Sequence, residues 1–180
     1  MTTWIALLRG VNVSGKNRIA MAELRDSLEA SGFEAVRTYI QSGNVVFQST
    51  GDAHSLAGRV AGAIRDRFGH EVEVTVLTPA RLAEIVRDTP YEAATSDEQN
   101  QLYFTFLFGE PEPDSTRLDA SAYAPDEVVV RGDVAYVRVT AGYGKTKLSN
   151  SYLEQRLRVP ATTRNWRTAQ KLLELGGVGG

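Results

Sequence analysis

The segment Gly10–Asn17, GVNVSGKN, follows an apolar run, WIALL, and offers one lysine inside a glycine- and asparagine-rich loop. Its pattern, G-x-x-x-x-G-K-N, is one letter from the phosphate-loop signature, in which backbone N–H groups cradle phosphates and a Ser or Thr hydroxyl holds Mg²⁺. Three features argue against that chemistry. Asn17 replaces the hydroxyl residue, the helical pattern starts near Ala20 or Met21 instead of at the lysine, and an acid ending an apolar strand, needed for Mg²⁺, is found only far along the chain at Glu110 of LYFTFLFGE. The match is therefore accidental. What remains is a tight loop in which Gly10 and Gly15 with Asn12 and Asn17 permit left-handed backbone. Two readings stand: a solvated turn, or a loop that presents Arg9, Lys16 and Arg18 to an anion close to a helix start.

Two further segments share the theme. In TTRNWRT, Thr163 or Asn165 is expected to cap the last helix, which would place Arg164 and Arg167 at its positive end. Basic residues there cost up to about 1 kcal/mol unless an anion or a salt bridge compensates. GYGKTKLSNSY carries Lys145 and Lys147 in a loop before a helix, but Val139 stands where a phosphate loop would need its first glycine. The candidate anion-binding set is thus Arg9, Asn12, Lys16, Asn17, Lys145, Lys147, Arg164, Asn165 and Arg167. The QSGN stretch, Gln41–Asn44, reads as a hairpin turn whose amides would join a pocket if it folds toward the first loop.

Composition narrows the chemistry. The 180 residues include no cysteine and two histidines, which excludes disulfides, thiolate metal sites and cysteine nucleophiles and disfavours a histidine zinc site. No metal or cofactor is expected. Paired carboxylates suited to acid–base work are not identifiable. The net charge of −2 argues against a wholly basic nucleic-acid binder, yet the charge is uneven. Arg138 to Lys171 holds eight basic residues and one acid, whereas Glu71 to Asp133 holds fourteen acids and four arginines. Either a basic binding face or mutual attraction of the two segments follows. With no leader pattern and no run of membrane-spanning length, a soluble cytoplasmic protein is expected.

Periodicity supplies the scaffold. TTWIALLRG reads as a buried strand. Met21, Leu24 and Leu28 share a helical face that stops at Gly32, and VRTYIQ and NVVFQS form an antiparallel pair. Leu56, Val60, Ile64 and Phe68 mark the clearest amphipathic helix, and Val72, Val74 and Val76 alternate as a strand. The order β-α-β-β-α-β is the ferredoxin-like arrangement. A polar acidic stretch near residue 90 separates it from LYFTFLFG, a hairpin of EVVV with VAYVRV around Gly132-Asp133, and two helices in KLSNSYLEQRLRV and NWRTAQKLLELGG. The fold class is α+β, with a ferredoxin-like subdomain over 1–90 and a second, smaller α+β subdomain over 91–180 with basic C-terminal helices. GGVGG reads as a frayed tail. An RNA-recognition use of the sheet is disfavoured, because only Trp4 and Phe47 are offered where that module stacks bases.

The segments LLRGVNVSGKNRIAMAELR, TYIQSGNVVF and ATTRNWRTAQKLLEL, in that order across nearly the whole chain, resemble the bacterial family known as domain of unknown function 1697. That resemblance implies a two-part α+β protein and no particular activity. The residues themselves point to a binding module whose partner is a phosphate-bearing small molecule or a nucleic-acid backbone, not a membrane. A metal-independent enzyme on a phosphorylated substrate, with Lys16 or a tyrosine handling the proton, and a protein-interaction module are the alternatives.

Overall fold

The computed structural model describes residues 1–178, so Gly179 and Gly180 of the GGVGG tail lie outside the described residues. The chain folds as two compact units, one of Met1–Glu84 with the chain from Lys171 onward, the other of Ile85–Gln170.

The first unit contains β1 (Thr2–Leu8), α1 (Met21–Ala30), β2 (Glu34–Tyr39), β3 (Asn44–Ser49), α2 (Ala53–Phe68) and β4 (Val74–Leu77), followed by α3 (Pro79–Arg87), which runs on into the second unit. Its antiparallel sheet has the order β2-β3-β1-β4, the ferredoxin-like arrangement the periodicity predicts. β1 is buried on both faces, as its unbroken apolar run requires. The core lies where Ala6, Leu8, Val45 and Phe47 of the sheet meet Leu24 and Leu28 of α1 and Leu56, Val60 and Ile64 of α2. The helix ends are set locally. Asp52 caps α2 by accepting the Ser55 N–H at 3.0 Å, and Thr78 caps α3 through the Arg81 N–H at 3.1 Å. After α1, Gly32 takes a left-handed φ of 86° while Phe33 N–H returns to Leu28 O, a Schellman stop.

The second unit contains a one-turn helix α4 (Ser96–Gln99), β5 (Leu102–Leu107), β6 (Glu127–Arg131), β7 (Val134–Arg138), α5 (Asn150–Leu157), β8 (Ala161–Asn165) and the start of α6 (Trp166–Leu175), which from Lys171 belongs to the first unit. Its sheet order, β6-β7-β5-β8, repeats that of the first unit strand for strand. Two 3-10 turns, Pro113–Thr116 and Ala120–Ala122, stand where α1 stands in the first. Leu107, Ala135 and Val137 of this sheet pack with Leu153 and Leu157 of α5.

Two expectations change. ATTRN is a strand, β8, paired with β5 from Tyr103↔Asn165 to Leu107↔Ala161, not the approach to a helix. It has no apolar alternation because hydrogen bonds satisfy its inward groups. Thr163 Oγ1 lies 2.8 Å from Thr105 Oγ1 and donates to Asn150 Oδ1 at 2.8 Å. The tail is also not wholly frayed: Gly177 N–H reaches Glu174 O and Val178 N–H reaches Leu173 O, so the chain stays bonded to α6 through Val178.

Candidate anion-binding site

In the first unit the loop between β1 and α1 is held by its own asparagines. Five residues there take left-handed backbone: Gly10, Asn12, Ser14, Gly15 and Asn17. The Asn12 side chain accepts the Ile19 N–H at 2.9 Å and donates to Ile19 O at 2.9 Å and to Gln41 O at 2.8 Å. Asn17 Nδ2 donates to Gly10 O at 3.1 Å, and Asn12 N–H bonds Asn17 O. Both asparagines therefore serve the loop's shape. The Asn12–Gln41 bond also fastens the QSGN turn against the first loop, the condition under which that turn contributes to a pocket.

Loop and turn enclose an open cleft of about 570 Å³ whose lining includes Asn12, Gly15, Arg18, Ala20, Glu23 and Gln41. At its floor α1 begins with Ala20 in the N-cap position, which has no side chain to bond the first-turn N–H groups. Glu23 is turned to Arg67, 2.7 Å away. Arg18 is exposed and has no carboxylate partner among the described residues. Lys16 is exposed on the same loop. Arg9 differs, since its guanidinium lies 2.7 Å from Glu73. Near one cleft the structure thus places a free guanidinium, an uncapped helix start and two loops of fixed shape.

The remaining candidates belong to the second unit. Arg164 sits on β8, not in the first turn of α6, and is 6% exposed. Its Nη1 donates to Thr162 Oγ1 at 2.6 Å and to Thr163 O at 3.0 Å, and burial pulls its pKa down to about 10. Asn165 caps α6, accepting the Thr168 N–H at 2.9 Å. Arg167 is left in the first turn, and with Asn165, Asn100, Tyr103 and Trp166 it lines a polar cleft of about 290 Å³. Asn100 and Tyr103 escape a reading of the sequence because only the β5–β8 register brings Tyr103 beside Asn165. The Tyr103 ring stacks on Tyr143 at 4.6 Å, and burial, then charge repulsion with the Tyr143 hydroxyl, pushes the Tyr103 pKa up.

Lys145 is exposed in a 3-10 turn, Tyr143–Lys145. Lys147 Nζ lies 5.7 Å and 5.9 Å from the Tyr123 and Tyr152 ring centres, within cation–π range. Their loop is tied down by Asp126, which accepts from Thr140 N–H at 2.9 Å, Thr140 Oγ1 at 3.2 Å and Thr146 Oγ1 at 2.7 Å. Partial burial raises the Asp126 pKa, but these hydrogen bonds together outweigh it and hold the carboxyl below its usual range. A folded pKa below the unfolded one, about 4, gives stability that is complete above that value and is lost as pH falls through the folded pKa. Asp126→Ala is expected to cost about 1–2 kcal/mol at neutral pH. In urea unfolding the gap to the wild type should narrow in acid; a gap independent of pH would contradict this role.

The fold and these loops define a class: an α+β protein of two four-stranded antiparallel sheets, the first ferredoxin-like, with glycine- and asparagine-rich loops at helix starts. Among the described residues no helix is long and apolar enough to cross a membrane. The chain belongs to the family described as protein of unknown function (DUF1697), whose model matches residues 1–136. In structure it is similar to the conserved bacterial protein SP0830 from Streptococcus pneumoniae, at 23% identity, a TM-score of 0.73, and coverage of 97% of this chain and 98% of that one. That likeness establishes a shared fold. Comparison with curated proteins gives no match.

Proposed function

We propose that the protein is a binding module for a phosphate-bearing ligand, nucleotide-like or a nucleic-acid backbone, and that the cleft beside Arg18 receives the phosphate. One observation carries the reading: α1 opens into that cleft with Ala20 as an uncapped start, beside a guanidinium that no carboxylate neutralises among the described residues. Free N–H groups and the positive end of the helix favour an anion, and a guanidinium adds a planar pair of donors. The Asn12–Gln41 bond holds the two loops together and fixed, so little ordering accompanies binding. Lys16, further out on the loop, adds field more than contact.

Amide spectra recorded while inorganic phosphate and then a nucleoside diphosphate are added test this. Shifts should centre on Arg18 and Met21–Glu23, and Arg18→Ala should weaken binding about tenfold or more. Affinity for a nucleic-acid strand should also fall steeply with salt. Shifts confined to Trp166–Thr168 would move the site to the second unit, and none at millimolar ligand would end the reading.

A further inference from the structure

Each sheet has two outer strands whose outward backbone groups no neighbouring strand uses, and the corresponding edges β2 and β6 differ. On β2 the register breaks between Glu34 and Arg37, and Ala35 takes a left-handed φ of 49°; such a bulge blunts an edge against further pairing. Its counterpart, β6, pairs with β7 without a break from Glu127↔Arg138 to Arg131↔Val134. It is the terminal strand of its sheet, and its three central valines, Val128, Val129 and Val130, remain part-exposed. A straight, apolar, unblunted edge is a template for another strand.

The sequence of that edge selects its partner. Glu-Val-Val-Val-Arg reads with opposite charge at its two ends. We infer that β6 pairs antiparallel with β6 of a second copy of this chain, joining two four-stranded sheets into one. About a twofold axis at Val129, Glu127 faces Arg131 of the other copy, Val128 faces Val130, and Arg131 faces Glu127. Residues opposite one another in an antiparallel pair lie on the same side of the sheet, so the charges meet. Both ends are already steadied within the chain, Glu127 by Arg138 at 3.3 Å and Arg131 by Asp88 O at 2.8 Å. The interface is isologous and closes at two copies. Five residues make a small interface, so association is weak and depends on concentration.

Sedimentation of the full chain from about 10 μM to about 500 μM, the range for an interface of this size, should show monomer passing to dimer. Arg131→Glu and Glu127→Arg each set like charges opposite one another and should weaken the dimer about tenfold or more. An equimolar mixture of the two single variants restores both opposite-charge pairs and should dimerise again. Val129→Lys sets two ammonium groups on the axis, leaves both intrachain contacts in place and should remain monomeric, with circular dichroism showing each variant folded. A wild-type chain that stays monomeric throughout overturns the inference, as does a dimer indifferent to these charges or a larger assembly.

Discussion

Gly43→Ala should destabilise the protein by about 2–5 kcal/mol, the sum of a left-handed backbone penalty and an overpacked contact. Gly43 has φ +83°, and a Cβ placed on it would lie 2.6 Å from Val11 Cγ2 and 2.7 Å from Leu8 Cβ. Neither neighbour has room to give: both residues are buried in the first unit's core, and Leu8 Cβ is fixed to a backbone whose N–H bonds Gly43 O at 2.9 Å. The close approach of the QSGN turn to the end of β1 is thus part of the turn's construction. Gly10→Ala is the comparison. Gly10 has φ +65° with nothing within 4 Å of its would-be Cβ, so that substitution should cost only the backbone penalty, about 1–2 kcal/mol. Urea unfolding of both variants measures the difference; equal losses would mean that the Leu8 and Val11 contacts relax freely.

Asn12→Ala should cost about 2–3 kcal/mol, the loss of three hydrogen bonds at roughly 1 kcal/mol each. It leaves Ile19 N–H, Ile19 O and Gln41 O without the side chain that now joins them, and places alanine at φ +54°. Asn17→Ala loses one exposed hydrogen bond of 3.1 Å and places alanine at φ +46°, so it should cost about 1–2 kcal/mol, less than Asn12→Ala. Asn12→Asp keeps an acceptor for Ile19 N–H but turns a carboxylate oxygen toward two carbonyls, so it should fall near the alanine variant. Amide exchange at Ile19 reads the same event locally and should accelerate in both Asn12 variants. Unchanged protection there would separate Asn12 from the loop's stability.

The ferredoxin-like order of the first unit is legible in the sequence because its signals act over short distances. Leu56, Val60 and Ile64 recur on one turn of helix after another, and Gly32 ends α1 within its own last turn. β8 is not legible, because a strand of two threonines, an arginine and an asparagine has no apolar rhythm. Its stability comes from β5 alongside and from a Thr163 hydroxyl bonded to Thr105, 58 positions away in sequence. Placing ATTRN on a strand moved Arg164 from a helix start into a nearly dry position and left Arg167 alone in the first turn of α6.

The sequence by itself determined that GVNVSGKN is a tight loop between a strand and a helix, and that thiolate chemistry is excluded. Tertiary structure decided what each polar residue in that loop does. Asn12 and Asn17 turned inward to hold the chain, Arg9 met Glu73, and Arg18 was left facing a cleft closed on one side by Gln41. Backbone freedom and helix periodicity are properties of a few consecutive residues. Whether a side chain is spent on the fold or left for a ligand depends on partners that only folding brings within 3 Å.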